Sequence, residues 1–303
     1  MAALTRVSTY GLHQRTLGDV TQLQSRLADL QNQVSSGQKS KTFQGLNTNT
    51  ETFVQLDAKL MKTQTLIDGN TRIISRLQTM EVSMDQIINI ADDFQDLTVA
   101  ARNPASADDV QFEILARSML ETIAGQLNVS VEGRYLFSGS KTNVPPVQTP
   151  VPGNSVPGVP DDGYYQGNNE DLYVRVQEQY TLAYNVRANE GGFQKLFAAI
   201  NLGLDAYGSG SQDLMAQASE MATEALDEIN GMRASVQQTR VNIEDINERH
   251  TQLKLYWQGL SEEITKTDIL SASTEIAMSE AILQASFASF TRLNELRLTD
   301  FLR

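Results

Sequence analysis

DILSASTEIAMSEAILQASFASFTRLNELRLTDFLR, residues 268–303, is the stretch whose reading decides the fold. Ile269, Ile276, Leu283 and Phe290 recur at every seventh position, and Ala272, Ser279, Ser286 and Leu293 follow each by three, which is the spacing of a coiled-coil seam. Met278, Ile282 and Phe287 lie off that seam, and Glu280 is the single charge between 276 and 291. A helix apolar on several sides has to be buried on several sides. The pattern alone leaves two arrangements open, a core helix of one globular domain or a helix buried between subunits. Asp268 is the expected N-cap, its carboxylate accepting from free amides of the first turn.

Working outward, a partner seam stands at the other end of the chain. Val20, Leu23, Leu27, Leu30 and Val34 alternate steps of three and four in a helix expected over 9–36, and Gly37 is placed to end it in a left-handed conformation. A second helix is expected over 51–102, with seam positions Leu56, Leu60, Thr63, Ile67, Asn70, Ile74, Leu77, Glu81, Met84, Ile88 and Ala91, closed by Pro104. Ser106 and Asp109 are candidate caps for a third helix reaching Val131, with Gly133 as its stop. Another long helix is expected over 213–265, where Ile229, Met232, Val236, Thr239, Ile243, Ile246, His250, Leu253, Trp257, Leu260 and Ile264 sustain the alternation.

Between the long helices the composition changes. Six of the seven prolines fall within 145–160, which precludes a helix there. Short β-rich runs at 164–166, 172–176 and 181–186 follow, the first two separated by a turn at Gly167, Asn168 and Asn169, and Phe193, Leu196, Phe197, Ile200 and Leu204 form one face of a short helix. The expected fold class is mainly α with a small inserted α+β domain, on an elongated antiparallel coiled-coil rod made by the N- and C-terminal helices. Its segments are 1–49, an N-terminal assembly helix and connector; 50–139, the N-terminal part of the rod; 140–210, the insertion; 211–266, the C-terminal part of the rod; and 267–303, the C-terminal assembly helix.

Composition narrows the functions. The 303 residues are 40% hydrophobic and 20% charged, a globular balance able to bury a core. A net charge of -13, without clustered Lys and Arg, argues against a nucleic-acid surface. With no cysteine, disulfides and thiolate metal sites are excluded. Neither a signal-peptide core nor a run of membrane-spanning length is evident. Catalytic constellations are also not evident: His13 and His250 are far apart, and the pairs Asp92-Asp93, Asp108-Asp109 and Asp161-Asp162 read as solvated faces or caps. Calcium at Asp161 and Asp162 lacks EF-hand spacing. No cofactor or metal is expected, and a pocket around Tyr164, Tyr165 and Tyr173 reads more readily as sheet packing.

Particular motifs carry a resemblance. RVST at 6–9, LADLQNQVSSGQK at 27–39, GRYLFSGSKT at 133–142, YQG at 165–167, NVRANEGG at 185–192, LQAS at 283–286 and LRLTDFLR at 296–303 are similar to the flagellin superfamily of the bacterial flagellum, in particular the hook-associated protein 3 family. The residues carrying this signature are Arg6, Ser8, Thr9, Ser35, Ser36, Gly37, Gly133, Tyr135, Leu136, Phe137, Ser138 and Gly139. One departure stands at 42–47, TFQGLN, where the family commonly has an SDDP-like segment, so contacts attributed to those acids do not carry over.

The resemblance implies a structural, non-enzymatic protein at the hook–filament junction that templates flagellin polymerisation. Its implied partners are further copies of itself in a ring, hook-associated protein 1, flagellin and a cytoplasmic export chaperone. Nucleic acid and membrane insertion are not implied. The implied location is extracellular, reached by flagellar type III export. The expected assembly surface comprises Val20, Leu23, Leu27, Leu30 and Val34 with Asp268, Ile269, Ile276, Leu283, Phe287, Phe290, Leu293 and Phe301. Flagellin itself is the alternative, and heptads alone would also suit an intracellular helical adaptor.

Overall fold

The computed structural model describes residues 2–40, 50–103, 111–152 and 156–301, with the side chains at 2–10, 12, 13, 290 and 293–301 outside the description. Along the chain come α1 (Ala2–Ser36), α2 (Thr50–Arg102), α3 (Phe112–Leu127), β1 (Ser130–Val131), β2 (Arg134–Tyr135), β3 (Tyr173–Gln177), β4 (Tyr180–Ala183), α4 (Gly191–Ser209), α5 (Gln212–Thr265) and α6 (Ile269–Phe301). The fold is mainly helical with two small antiparallel sheets, β1-β2 and β3-β4. Two compact units are formed, Met1–Met61 with Lys254–Arg303, and Lys62–Leu253. Both boundaries fall inside helices, so the sequence segments 50–139 and 211–266 each contribute to both units.

The larger unit holds the main core. On α2, Asn70, Ile73, Leu77, Met80, Met84, Ile87, Ala91, Phe94, Thr98 and Ala101 are buried, a strict alternation of three and four. The positions 70, 77, 84 and 91 are those expected, but their companions are 73, 80 and 87 rather than Ile74, Glu81 and Ile88. The reason is electrostatic. Glu81 stays at the rim, its carboxylate 2.8 Å from Nε of Arg240, so it is paired and part-solvated where a core position would desolvate it. Arg240 also donates to Glu244, and these two carboxylates raise the guanidinium's pKa.

On α5 the buried face runs through Met215, Ala218, Ala222, Ala225, Ile229, Val236, Ile243, Ile246 and His250. Of the expected seam from 229 to 250, Ile229, Val236, Ile243, Ile246 and His250 are buried and Met232 and Thr239 half-buried, whereas Leu253 is exposed. Cross-links to α2 at Arg233–Asp85 (2.8 Å), Gln95–Thr223 (3.2 Å) and Asn247–Thr71 (3.3 Å) set the two helices antiparallel, because one number falls as the other rises. Close approach of α4 is permitted at Gly203, where an added Cβ would lie 2.9 Å from the Phe94 ring and 3.1 Å from that of Phe112.

The third helix ends at Leu127, not Val131. Asn128 takes the C-cap position, and its side chain then bonds both backbone groups of Val147, Nδ2 donating to the carbonyl at 2.9 Å and Oδ1 accepting from the amide at 2.8 Å. Residues 130–135 instead form a hairpin whose two-residue turn, Glu132 (φ 53) and Gly133 (φ 74), has the positive φ values of a tight primed turn. Gly133 therefore closes a hairpin and does not stop a helix. The expected caps Ser106 and Asp109 lie outside the described residues, as do Pro104 and residues 42–47; the N-cap position is Gln111, without a side-chain cap. Of the expected strands, 172–176 and 181–186 become β3 and β4, whereas 164–166 makes one bridge, Val147 to Tyr165.

Candidate assembly interface

The smaller unit joins the two chain ends. Gly37 ends α1 with φ 70, its amide bonded to the Gln33 carbonyl at 2.8 Å, and Gln38 pairs antiparallel with Lys266 just past the end of α5. Lys39 N–H donates to the Thr265 carbonyl (2.7 Å) and Thr267 N–H to the Gly37 carbonyl (2.9 Å). Ser36 Oγ bonds back to the Asn32 carbonyl at 2.7 Å and accepts from Gln38 N–H at 3.3 Å; Ser35 Oγ also bonds to Asn32. Asp268 then caps α6, its Oδ1 accepting from Leu270 N–H (3.0 Å) and Ser271 N–H (3.2 Å). This short clasp turns α6 back along α1.

The helices run antiparallel. Arg26 meets Glu275 at 3.2 Å, and nearer the start of α1 a small apolar crevice is lined by Thr16, Leu17, Val20, Ser286 and Phe287. Leu30 is buried on α1, with Val20, Leu23, Leu27 and Val34 half-buried. On α6, Ala272 and Ser279 are buried, and Ile276, Leu283 and Ser286 are half-buried. The small residues of the seam thus lie deepest, because they let the helix backbones approach.

Among the described side chains of α6, several large apolar ones are left uncovered. Leu270 is 80% exposed, Met278 67%, Ile269 51%, Phe287 47% and Ile282 46%. Ile269, expected on the seam, is instead exposed, next to the Asp268 cap. Phe290, Leu293 and Phe301 lie outside the described side chains, as do those of Arg6, Ser8 and Thr9, whose backbone is in α1.

The signature motifs at 133–142, 165–167 and 185–192 meet in the larger unit. Phe137 is fully buried edge-on to Phe193 (6.2 Å), and its carbonyl accepts from Ala188 N–H at 2.8 Å. Leu136 is buried as well, while Tyr135 N–H donates to the Thr142 carbonyl at 2.8 Å. Buried Ser138 offers its carbonyl to Asn168 N–H, and Asn168 in turn holds Ser140 by two side-chain bonds of 2.8 and 2.7 Å. Gly139 (φ 66) sits so close that a Cβ would lie 2.3 Å from the Asn168 carbonyl oxygen. Arg187 closes the knot through the Asn169 carbonyl, Asp171 and Glu190. Sequence reading placed Asn168 in a turn and Arg187 in the motif at 185–192, but gave neither its bonding role.

Two tyrosines mark the knot's interior. Tyr164 donates to the Ala188 carbonyl (2.8 Å), and burial, with Asp162 and Asp161 nearby, raises its pKa well above the usual phenol range. Tyr165 donates to the Asn168 carbonyl (2.8 Å) and is pushed up to about 12, chiefly by burial. Among the described residues there is no group of three or more His, Asp or Glu able to hold a metal, and no helix long and apolar enough to cross a membrane.

Comparison with known proteins bears on both units. Residues 7–142 match the bacterial flagellin N-terminal helical region. A flagellar hook-associated protein from Vibrio parahaemolyticus shares the fold at a TM-score of 0.61 and 16% identity, over 72% of this chain and 97% of that one. Bacillus cereus FlgL does so at a TM-score of 0.52 and 18% identity, over 65% and 98%. No curated protein sequence matches the chain. The chain therefore carries, over 7–142, a region similar to the flagellin N-terminal helical region, on a fold shared with these two flagellar proteins.

Proposed function

We propose that this protein is a structural subunit of the bacterial flagellum, placed at the junction between hook and filament, where it templates flagellin polymerisation. The observation that carries the assembly part of this reading is α6. A helix with five large apolar side chains between 46 and 80% exposed has found only part of its burial within its own chain. Copies of the chain, arranged in a ring, cover that surface, with hook-associated protein 1 on one side and flagellin on the other. Val20, Leu23, Leu27, Leu30 and Val34 form the inner half of the surface with Ile276 and Leu283; Ile269 and Phe287 face a neighbour, and Phe290, Leu293 and Phe301 continue it. The chain reaches this place by flagellar type III export, with a cytoplasmic chaperone shielding the C-terminal helix beforehand. The segments 1–49 and 267–303 act in assembly, 50–139 and 211–266 carry the load, and 140–210 faces outward.

Deletion of the gene followed by electron microscopy tests the reading. Hooks without filaments, with flagellin shed into the medium, are expected. Normal filaments on the deletion strain would overturn it, and dominance of this chain in the mass of sheared filaments would make it the filament subunit instead.

A further inference from the structure

The β3-β4 hairpin is held in an unusual way. Its register shifts between Arg175 and Gln177, so Val176 is the extra residue of a bulge and falls outside the cross-strand ladder. Val176 is also the one fully buried side chain of the two strands; Tyr173, Arg175, Tyr180, Thr181 and Ala183 are exposed. Its carbonyl, released by the bulge, turns to the helices and accepts from two side chains. Asn70 Nδ2 on α2 lies at 3.3 Å and His250 Nε2 on α5 at 2.9 Å, both residues being buried. At the base, Leu172 N–H donates to Asn185 Oδ1 (2.6 Å) and Tyr184 N–H to the Leu172 carbonyl (3.1 Å). At the tip, Lys62 is paired with Glu178 across two exposed side chains.

We propose that β3 and β4 form a flap that opens as one unit about its base, with the Val176 carbonyl, Asn70 and His250 as its latch. A two-stranded hairpin is at best marginally stable alone, so buried Val176, the half-buried Val174 and Leu182 packed on the core, and one doubly bonded carbonyl must hold it shut. The latch is also imperfect. Asn70 Oδ1 is fully buried without a hydrogen-bond partner, a cost that opening relieves by admitting water. The exposed Lys62–Glu178 pair is too well solvated to substitute for the latch. Opening therefore wets Asn70 and His250 while the heptad contacts of α2 and α5 stay closed.

Hydrogen exchange on the full chain tests this. Loss of the shorter latch bond in His250→Leu is expected to speed exchange of the amides in β3 and β4 by about tenfold, the opening factor that roughly 1.4 kcal/mol represents. Amides flanking Met84 and Ile243 should not change, and Lys62→Ala should leave the flap within about threefold of the parent. Because the chain has no cysteine, Lys62→Cys with Glu178→Cys gives a unique pair for a bis-maleimide staple, whose span replaces that of the two long side chains; it should suppress flap exchange in the parent and restore protection in His250→Leu. The proposal is overturned if His250→Leu leaves flap exchange unaltered. It is equally overturned if flap and helix amides accelerate together, or if the staple has no effect on the flap.

Discussion

Single residues decide the knot that joins the signature motifs. Gly133 and Gly139 share a positive φ but not a neighbourhood: nothing lies within 4 Å of a Cβ at 133, whereas one at 139 would collide with Asn168. Gly133→Ala should therefore cost about 1 kcal/mol, the left-handed penalty alone, and Gly139→Ala about 2–4 kcal/mol, with steric strain added. Denaturant midpoints of the two variants measure the difference; equal losses would remove the close contact from the account. The tyrosines supply a pH test. Tyr164 and Tyr165 have folded pKa values above the ordinary phenol value, so between about 10 and 12 the unfolded chain loses protons that the native chain keeps. Their contribution is fully present below pH 10 and is lost as pH rises through the folded values. Thermal midpoints should fall over that window, and Tyr165→Phe should flatten the fall.

At the scale of the element, the same heptad spacing has two outcomes. Leu77 on α2 is fully buried, and Leu77→Ala should cost about 2–5 kcal/mol through lost transfer energy and a residual cavity. Leu270 on α6 is largely exposed, so Leu270→Asp should change the free chain's stability by no more than about 0.5 kcal/mol, whereas Asp268→Ala removes a cap and should cost about 1 kcal/mol. Chemical denaturation of the free chain ranks the three. Leu270→Asp proving as damaging as Leu77→Ala would mean that α6 is buried in a way its exposure denies. Helices and their ends were legible from sequence because the signals are local: Gly37, Asp268, the prolines and the heptads. The third helix was overextended because its stop, Asn128, is set by Val147, nineteen residues away.

For the whole molecule, the main core and the proposed assembly surface lie in different parts of the chain. The main core lies within residues 73–246, while Leu30, Leu56 and Ala272 are the buried hydrophobic residues of the smaller unit among those described. Amides at 276–287 should accordingly exchange in the free chain far faster than those around Met84, and should gain protection on assembly, where burial offsets the ordering cost. Strong protection in the free chain would count against an unfinished α6. Leu283→Asp and Phe287→Asp should leave the larger unit folded yet block incorporation, because a carboxylate buried without a partner costs several kcal/mol, roughly. Complementation of a deletion strain reads this directly, and normal filaments from both variants would exclude α6 as the assembly surface.

The sequence by itself determined the long helices, the Gly37 stop, the Asp268 cap, the short strands and helix between the long helices, and a family resemblance on the N-terminal side. Each is encoded within a few residues or in a repeat of seven, so no distant partner is needed to read it. Only the tertiary structure decided that Met80 and not Glu81 faces the core, that Asn70 and His250 close on one carbonyl, and that residues 130–135 turn as a hairpin. Those outcomes depend on groups far away in the chain, Arg240 for Glu81 and Val176 for the other two polar residues. The stretch 268–303 shows both kinds of information at once. Its heptads announced a helix, and its small residues, packed against α1, decided which side of that helix remains open.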